Sequence, residues 1–228
     1  MGIVTRMFAE VWRTWNPVVG CEHNCSYCYA RKLALGRLRH LPQYQDFRPY
    51  LVKAELLSSF RSGLIFPCDM GDLWGRWVPR EWIEQTLVVV ERSPDATFLM
   101  LTKNPLRYME FVNQFPPNII LGTTIESNLP YPAITDAPDP ASRALALACV
   151  PWGRKFVSIE PIMDFDLNAL PQRIELIKPE FVYIGYDNWS NNLPEPPLEK
   201  TLELISRLQQ FTEVRTKTIR EAWNYGAI

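Results

Sequence analysis

Three thiols crowded into eight residues are the feature of this sequence best suited to do chemistry. Cys21, Cys25 and Cys28 are spaced C-x3-C-x2-C, and in 228 residues only Cys68 and Cys149 join them. Thiols so few and so closely set are no disulfide framework in a chain this long. They point to metal or redox chemistry in a reducing cytoplasm. Three thiolates on so short a loop can ligate three irons of a [4Fe–4S] cluster and leave the remaining iron open, whereas a cluster used only for electron transfer normally has four cysteine ligands. Zinc is the alternative, because His23 between Cys21 and Cys25 completes a set of four donors. Its position two residues from a cysteine on either side strains a tetrahedral shell, and there is no second C-x2-C pair. On that alternative the chain is a non-catalytic metal-binding module, with zinc or an electron-transfer Fe–S cluster serving a partner protein.

The segment Cys21-Glu22-His23-Asn24-Cys25-Ser26-Tyr27-Cys28 resembles the radical S-adenosylmethionine (radical SAM) superfamily, whose signature is C-x3-C-x-aromatic-C. Tyr27 takes the aromatic place, which in that family lies near the adenine of the cofactor. The resemblance implies a [4Fe–4S] cluster whose free iron chelates S-adenosyl-L-methionine. It also implies an external one-electron donor, reductive cleavage to methionine and a 5′-deoxyadenosyl radical, and hydrogen abstraction from a substrate. Trp15-Asn16-Pro17 with Gly20-Cys21, Cys28-Tyr29-Ala30, Asp72-Leu73-Trp74 with Val78-Pro79, Leu101-Thr102-Lys103-Asn104-Pro105, Leu121-Gly122 followed by Glu126, and Ser158-Ile159-Glu160-Pro161 are similar to blocks of a phage-associated subfamily named only for its three cysteines. That narrower likeness runs from about residue 11 to residue 190 and carries no assigned reaction.

The resemblance also suggests cofactor ligands. Many radical SAM enzymes place Gly-Gly-Glu after the second strand to receive the cofactor's amino group. Here Pro67-Cys68-Asp69-Met70-Gly71-Asp72 stands instead, and Asp69 or Asp72 is expected in that role through a charge-assisted hydrogen bond. Lys103 is expected at the cofactor's carboxylate and Glu126 at its ribose hydroxyls, against the plainer account of solvated ion pairs. Cys68, closing a strand, is a weak candidate for a catalytic side chain, with buried packing as the simpler account. Cys149, in an apolar helix, reads as core. Trp74, Trp77, Trp82 and Trp152 read as core or rim.

The elements that must position these groups alternate. Short, nearly continuous apolar runs at Asn16–Gly20, Leu64–Cys68, Thr97–Leu101, Ile119–Thr124, Lys155–Ile159 and Phe181–Gly185 read as strands covered on both faces. Helical patterns follow at Tyr29–Arg39, Pro79–Glu91, Leu106–Gln114, Pro140–Val150, Leu170–Ile177 and Pro197–Gln210, with a further helix at Tyr50–Phe60. Six βα steps predict an α/β fold with a parallel sheet and right-handed crossovers. The count suits one domain over residues 1–228 built as a partial (β/α)6 TIM-like barrel, with the cluster loop at 20–29 and a tail at 212–228. A doubly wound sheet is the rival, and Thr212–Thr216 leaves room for a seventh strand. In either architecture reactive groups belong beyond the carboxyl ends of the strands, where Cys68 to Asp72, Lys103, Glu126, Ser158, Glu160 and Asp187 fall.

Net charge is −1 and 47% of residues are apolar, so the chain is no polycation built to coat nucleic acid. No run approaches a membrane span, the amino terminus lacks a signal-peptide core, and GIVTR at residues 2–6 does not fit the myristoylation pattern, so a cytoplasmic protein without a membrane partner is expected. One local bias remains. From Tyr29 to Arg61 there are seven basic residues, Arg31, Lys32, Arg37, Arg39, Arg48, Lys53 and Arg61, against Asp46 and Glu55. The plain account is a solvated face. The functional one is phosphate contact by Arg31, Lys32, Arg37, Arg39 and Arg48 with a nucleic-acid substrate, protein being the second choice. The competing arrangement is a small molecule enclosed by a mobile loop at Asn128–Pro138.

Overall fold

The computed structural model describes residues 8–223. The GIVTR segment and the last part of the 212–228 tail lie outside the described residues. The chain forms two compact units: Met1–Glu22, Cys28–Thr102 and Phe111–Ile120 make the first, and His23–Tyr27, Lys103–Glu110 and Leu121–Ile228 the second.

The first unit begins with β1 (Arg13–Trp15) and β2 (Val18–Val19), followed by α1 (Tyr29–Leu35) and β3 (Tyr50–Leu51). Then come β4 (Gly63–Pro67), α2 (Arg80–Glu91), β5 (Ala96–Thr102) and the first two residues of β6 (Ile119–Thr124). Of the strand expected over Asn16–Gly20 only Val18–Val19 is strand, and the parallel strand β1 precedes it. The parallel strand ends at Trp15, opposite Pro67 of β4, because Pro17 has no N–H to give a ladder and the Asn16 side chain is turned to Asp69 and Met70. Val18 and Val19 instead pair antiparallel with Leu51 and Tyr50. That pairing also removes the helix expected over Tyr50–Phe60, where a 3₁₀ turn at Lys53–Leu57 follows β3. The helix expected to reach Arg39 stops at Leu35, where the Gly36 N–H bonds to Lys32 O.

The second unit holds the rest of β6, then α3 (Pro140–Cys149), β7 (Lys155–Ile159) and α4 (Ala169–Ile177). It closes with β8 (Phe181–Ile184), α5 (Leu198–Leu208) and β9 (Glu213–Thr216), the last being the seventh strand. β6, β7 and β8 are buried at every residue, as continuous apolar strands require. Gly122 in β6 is obligatory, since a Cβ there would lie 2.2 Å from the Phe156 ring. α5 buries Thr201, Leu204, Ile205 and Leu208 at helical spacing, and each such aliphatic side chain contributes about 1.5–3 kcal/mol. The helix expected over Leu106–Gln114 is instead two short 3₁₀ turns, Pro105–Glu110 and Val112–Gln114, interrupted at Phe111, whose φ of −124° is not helical.

Seven strands take the order β1-β4-β5-β6-β7-β8-β9. The pairs β1/β4, β4/β5, β6/β7, β7/β8 and β8/β9 are all parallel. The fold is α/β with a mostly parallel sheet, consistent with a partial TIM-like barrel.

Candidate functional site

The cysteine loop contributes to both units. In the first unit, two glycines fix its entry. Gly20 has φ +83° and a Cβ on it would lie 2.1 Å from Arg48 O, while a Cβ on Gly71 would lie 2.9 Å from Gly20 O. Only glycine allows backbones to approach so closely at positive φ. Gly20 N–H donates to Met70 O at 2.9 Å and Cys21 N–H to Phe47 O at 3.3 Å. Cys28 is the N-cap of α1, and its Sγ accepts the Arg31 N–H at 3.3 Å. Arg31 reaches back to Cys21 O at 3.4 Å and lies over the Phe47 ring. Cys21 and Cys28, both half-buried, pack against Val19, Ala30, Ala34, Phe47 and Met70.

The two acidic candidates of this unit differ. Asp72 is buried, with both carboxylate oxygens accepting from Thr102 Oγ1 at 2.7 and 2.9 Å and Oδ1 also from Trp74 N–H. Asp69 is half-buried, accepts from Asn16 Nδ2 at 2.6 Å, and has its carboxyl pushed above the ordinary range by burial. Its backbone carbonyl accepts from Tyr29 Oη at 2.6 Å. Cys68 is 5% exposed with φ +60°, and burial pushes its thiol up, as packing against apolar neighbours would.

In the second unit, Glu126 is the hub of a charged network and is fully buried. Its Oε1 accepts from Tyr27 Oη at 2.5 Å and pairs with Lys103 Nζ, whose ammonium also lies over the Tyr27 ring. Its Oε2 lies 2.8 Å from Arg143 Nη2, an ion pair without hydrogen-bond alignment. Arg143, 1% exposed, donates Nη1–H to Thr124 O at 2.5 Å. Burial pulls its guanidinium below the ordinary range, and Tyr27 and Cys25 oppose that shift. Two cations thus share one buried carboxylate. Asp139 adds a further negative charge near Arg143.

Cys25, 8% exposed, lies in this unit with its Sγ 3.1 Å from Thr135 Oγ1. Ser26 N–H donates to Ile134 O at 2.9 Å and Asp136 N–H to His23 O at 2.8 Å. The segment proposed as a mobile loop, 128–138, is therefore bonded to the cysteine loop.

Other strand-end groups are also engaged. Glu160 pairs with Lys217 at 2.6 Å, its carboxyl raised by burial, and Asp187 caps the backbone of Trp189 and Asn191. Ser158 Oγ is buried without a hydrogen-bond partner among the described residues. Lys32, Arg37, Arg39 and Arg48 are exposed, whereas Arg31 is half-buried in the cysteine frame. Trp74 is core, and Trp77, Trp82 and Trp152 are half-buried rim. Cys149 is exposed rather than core, because α3 turns Pro140, Arg143, Ala144 and Leu147 inward and Cys149, two residues past Leu147, falls on the other face.

Arg143 and Thr135 were not picked out by sequence. A lone arginine on the inward face of an otherwise apolar helix was the available signal for Arg143. Thr135, in a proline-rich connection, gave none.

Among the described residues, no three Cys, His, Asp or Glu side chains are already gathered as a group that could hold a metal ion. The fit to a cluster lies in the donor set, three thiols on one short loop with an N–H directed at Cys28 Sγ and a hydroxyl beside Cys25 Sγ. Thiol sites commonly take final shape only as the metal binds.

The family model described as "Protein of unknown function (DUF5131)" matches residues 8–188. The chain belongs to this family. Its description carries neither an activity nor a phage association, and no curated protein matches the chain. Among solved structures the DUF5131 chain is similar to spore photoproduct lyase. A doubly substituted form with bound AdoMet and dinucleoside spore photoproduct aligns at TM-score 0.54 and 9% identity, over 87% of this chain and 61% of that one. A singly substituted form with dinucleoside spore photoproduct aligns at TM-score 0.52 and 10% identity, over 85% and 60%. Another substituted form aligns at TM-score 0.53 and 10% identity, over 87% and 61%. The chain spans about three fifths of the length of these lyases. At such identity the likeness shows the fold.

Proposed function

We propose that this DUF5131 protein is a radical SAM enzyme. The observation that carries the reading is the C-x3-C-x-Tyr-C loop, whose Tyr27 hydroxyl rests on Glu126 within a buried Lys103–Glu126–Arg143 network. AdoMet bound to a lyase of similar fold supports it. Cys21, Cys25 and Cys28 would hold the cluster. Such a [4Fe–4S] cluster, reduced by an external one-electron donor, supplies reductive cleavage of S-adenosylmethionine to methionine and a 5′-deoxyadenosyl radical that abstracts hydrogen from the substrate.

The chain's own residues bind and orient. Lys103 offers its ammonium to the cofactor's carboxylate and Tyr27 its ring to the adenine, while Glu126, buried against Tyr27, Lys103 and Arg143, reaches the ribose hydroxyls by exchanging one of those partners. Asp69 receives the cofactor's amino group more readily than Asp72, whose oxygens are already taken by Thr102 and Trp74. Arg143 holds Glu126 in place. The unpartnered Ser158 Oγ leaves a polar group available at a strand end.

For the substrate we favour nucleic acid. Lys32, Arg37, Arg39 and Arg48 are exposed just after the cysteine loop, and a bound dinucleoside in the similar lyase points the same way. The test is anaerobic incubation of the reconstituted protein with S-adenosylmethionine and dithionite. Formation of 5′-deoxyadenosine supports the reading, and its absence from iron-loaded protein overturns it.

A further inference from the structure

Resting on the reading of Cys25 as a cluster ligand, we propose that Thr135 is a positioning residue that sets the cluster's reduction potential through a hydroxyl hydrogen bond to Cys25 Sγ. The geometry is local to the second unit. Thr135 Oγ1 lies 3.1 Å from Cys25 Sγ and 3.2 Å from His23 O, and it accepts the Ala137 N–H at 3.1 Å. That N–H occupies one lone pair and fixes the oxygen, so the single hydroxyl proton has two acceptors within reach, the carbonyl and the sulfur. The segment carrying Thr135 is itself tied down. Ile134 O accepts from Ser26 N–H and Asp136 N–H donates to His23 O, so backbone bonds on both sides of Thr135 clamp the cysteine loop around Cys25.

While Cys25 carries its own proton, the two groups can share one bond in either direction. Once Cys25 binds iron as a thiolate it can only accept, and the Thr135 proton turns from His23 O to the sulfur. Hydrogen bonds to cluster sulfurs favour the more negative, reduced state and raise the potential. The step affected is transfer of one electron from the external donor to the cluster, with no bond made or broken in the protein. Cys28 receives a backbone N–H from Arg31, which no side-chain substitution removes. The Thr135 hydroxyl, by contrast, is side-chain chemistry that a substitution can remove.

The test is a redox titration of reconstituted protein followed by electron paramagnetic resonance, with iron content measured in parallel. Thr135→Val keeps the shape and removes the hydroxyl. Its equilibrium constant for one-electron reduction should fall about tenfold, equivalent to a midpoint ~59 mV lower, with iron content unchanged. Thr135→Ser should restore the wild-type midpoint. Loss of iron from Thr135→Val alone would mark a structural role through His23 O and the Ala137 N–H and would overturn the proposal. An unchanged midpoint in Thr135→Val, or equal loss of iron from both variants, overturns the proposal. Failure of the underlying reading looks different: Cys25→Ala would then keep its full iron complement.

Discussion

Cys28 and Cys25 are three residues apart in sequence and have opposite surroundings. Cys28 packs against Val19, Ala30, Ala34, Phe47 and Met70, caps α1 and receives one backbone N–H on its sulfur. Cys25 sits in a unit organised by charge, with a threonine hydroxyl beside its sulfur and Arg143 close enough to feel it electrostatically. The difference separates two tasks. The first unit fixes where the loop runs, and little there can be altered without moving the chain. On the proposed reading, the second supplies the charged groups Lys103 and Glu126 that meet the cofactor.

The largest effect should come from the thiols. Cys21→Ala, Cys25→Ala and Cys28→Ala should each lose the reconstituted iron, while Cys149→Ala, exposed on α3, should keep it, as iron assay will show. Retention by any of the first three would end the equivalence of the cysteines across the two settings.

The frame should be the next most sensitive. Gly20→Ala puts a Cβ against the Arg48 carbonyl at positive φ and should destabilise by about 3–5 kcal/mol, read as a fall in the denaturation midpoint. A loss below ~1 kcal/mol would show that the backbone can yield there.

Charge should follow. Glu126→Gln leaves Lys103 and Arg143 with no carboxylate between them, and removing one member of a buried ion pair costs about 3–5 kcal/mol without a bound anion. Added S-adenosylmethionine should recover part of that stability in thermal melts, which would not happen for Gly20→Ala.

Lys103→Ala should weaken S-adenosylmethionine binding by about tenfold or more, from the ~1–3 kcal/mol of a charged hydrogen bond, without loss of iron. Equal affinity by titration calorimetry would place the cofactor's carboxylate elsewhere. The smallest effect is expected at the exposed arginines. Nucleic-acid binding by the wild type should fall steeply between ~50 and ~200 mM salt and weaken in Arg37→Ala with Arg39→Ala. Binding unaffected by salt or by those changes would leave the basic stretch as ordinary solvated surface.

Sequence pattern made the parallel strands legible because β6, β7 and β8 are buried on both faces and so read as unbroken apolar runs. It failed where tertiary contacts decide. By pattern Val18–Val19 belongs to the main sheet, yet it pairs with Tyr50–Leu51, a long-range contact that local propensity does not encode. The 3₁₀ turns near Pro105–Gln114 read as helix for the same reason. In the site, the thiols and Glu126 stand out by type and position, whereas Thr135 gains its place only through a fold that brings residue 135 to residue 25.

On the proposed reading the cysteine loop holds a cluster with an iron open to S-adenosylmethionine. The most direct test of that reading is electron paramagnetic resonance of the anaerobically reconstituted, dithionite-reduced protein before and after the cofactor is added. The protein should be brown with about four irons per chain, and its spectrum should change on addition of S-adenosylmethionine. A colourless protein with bound zinc, or a cluster spectrum indifferent to the cofactor, would contradict it.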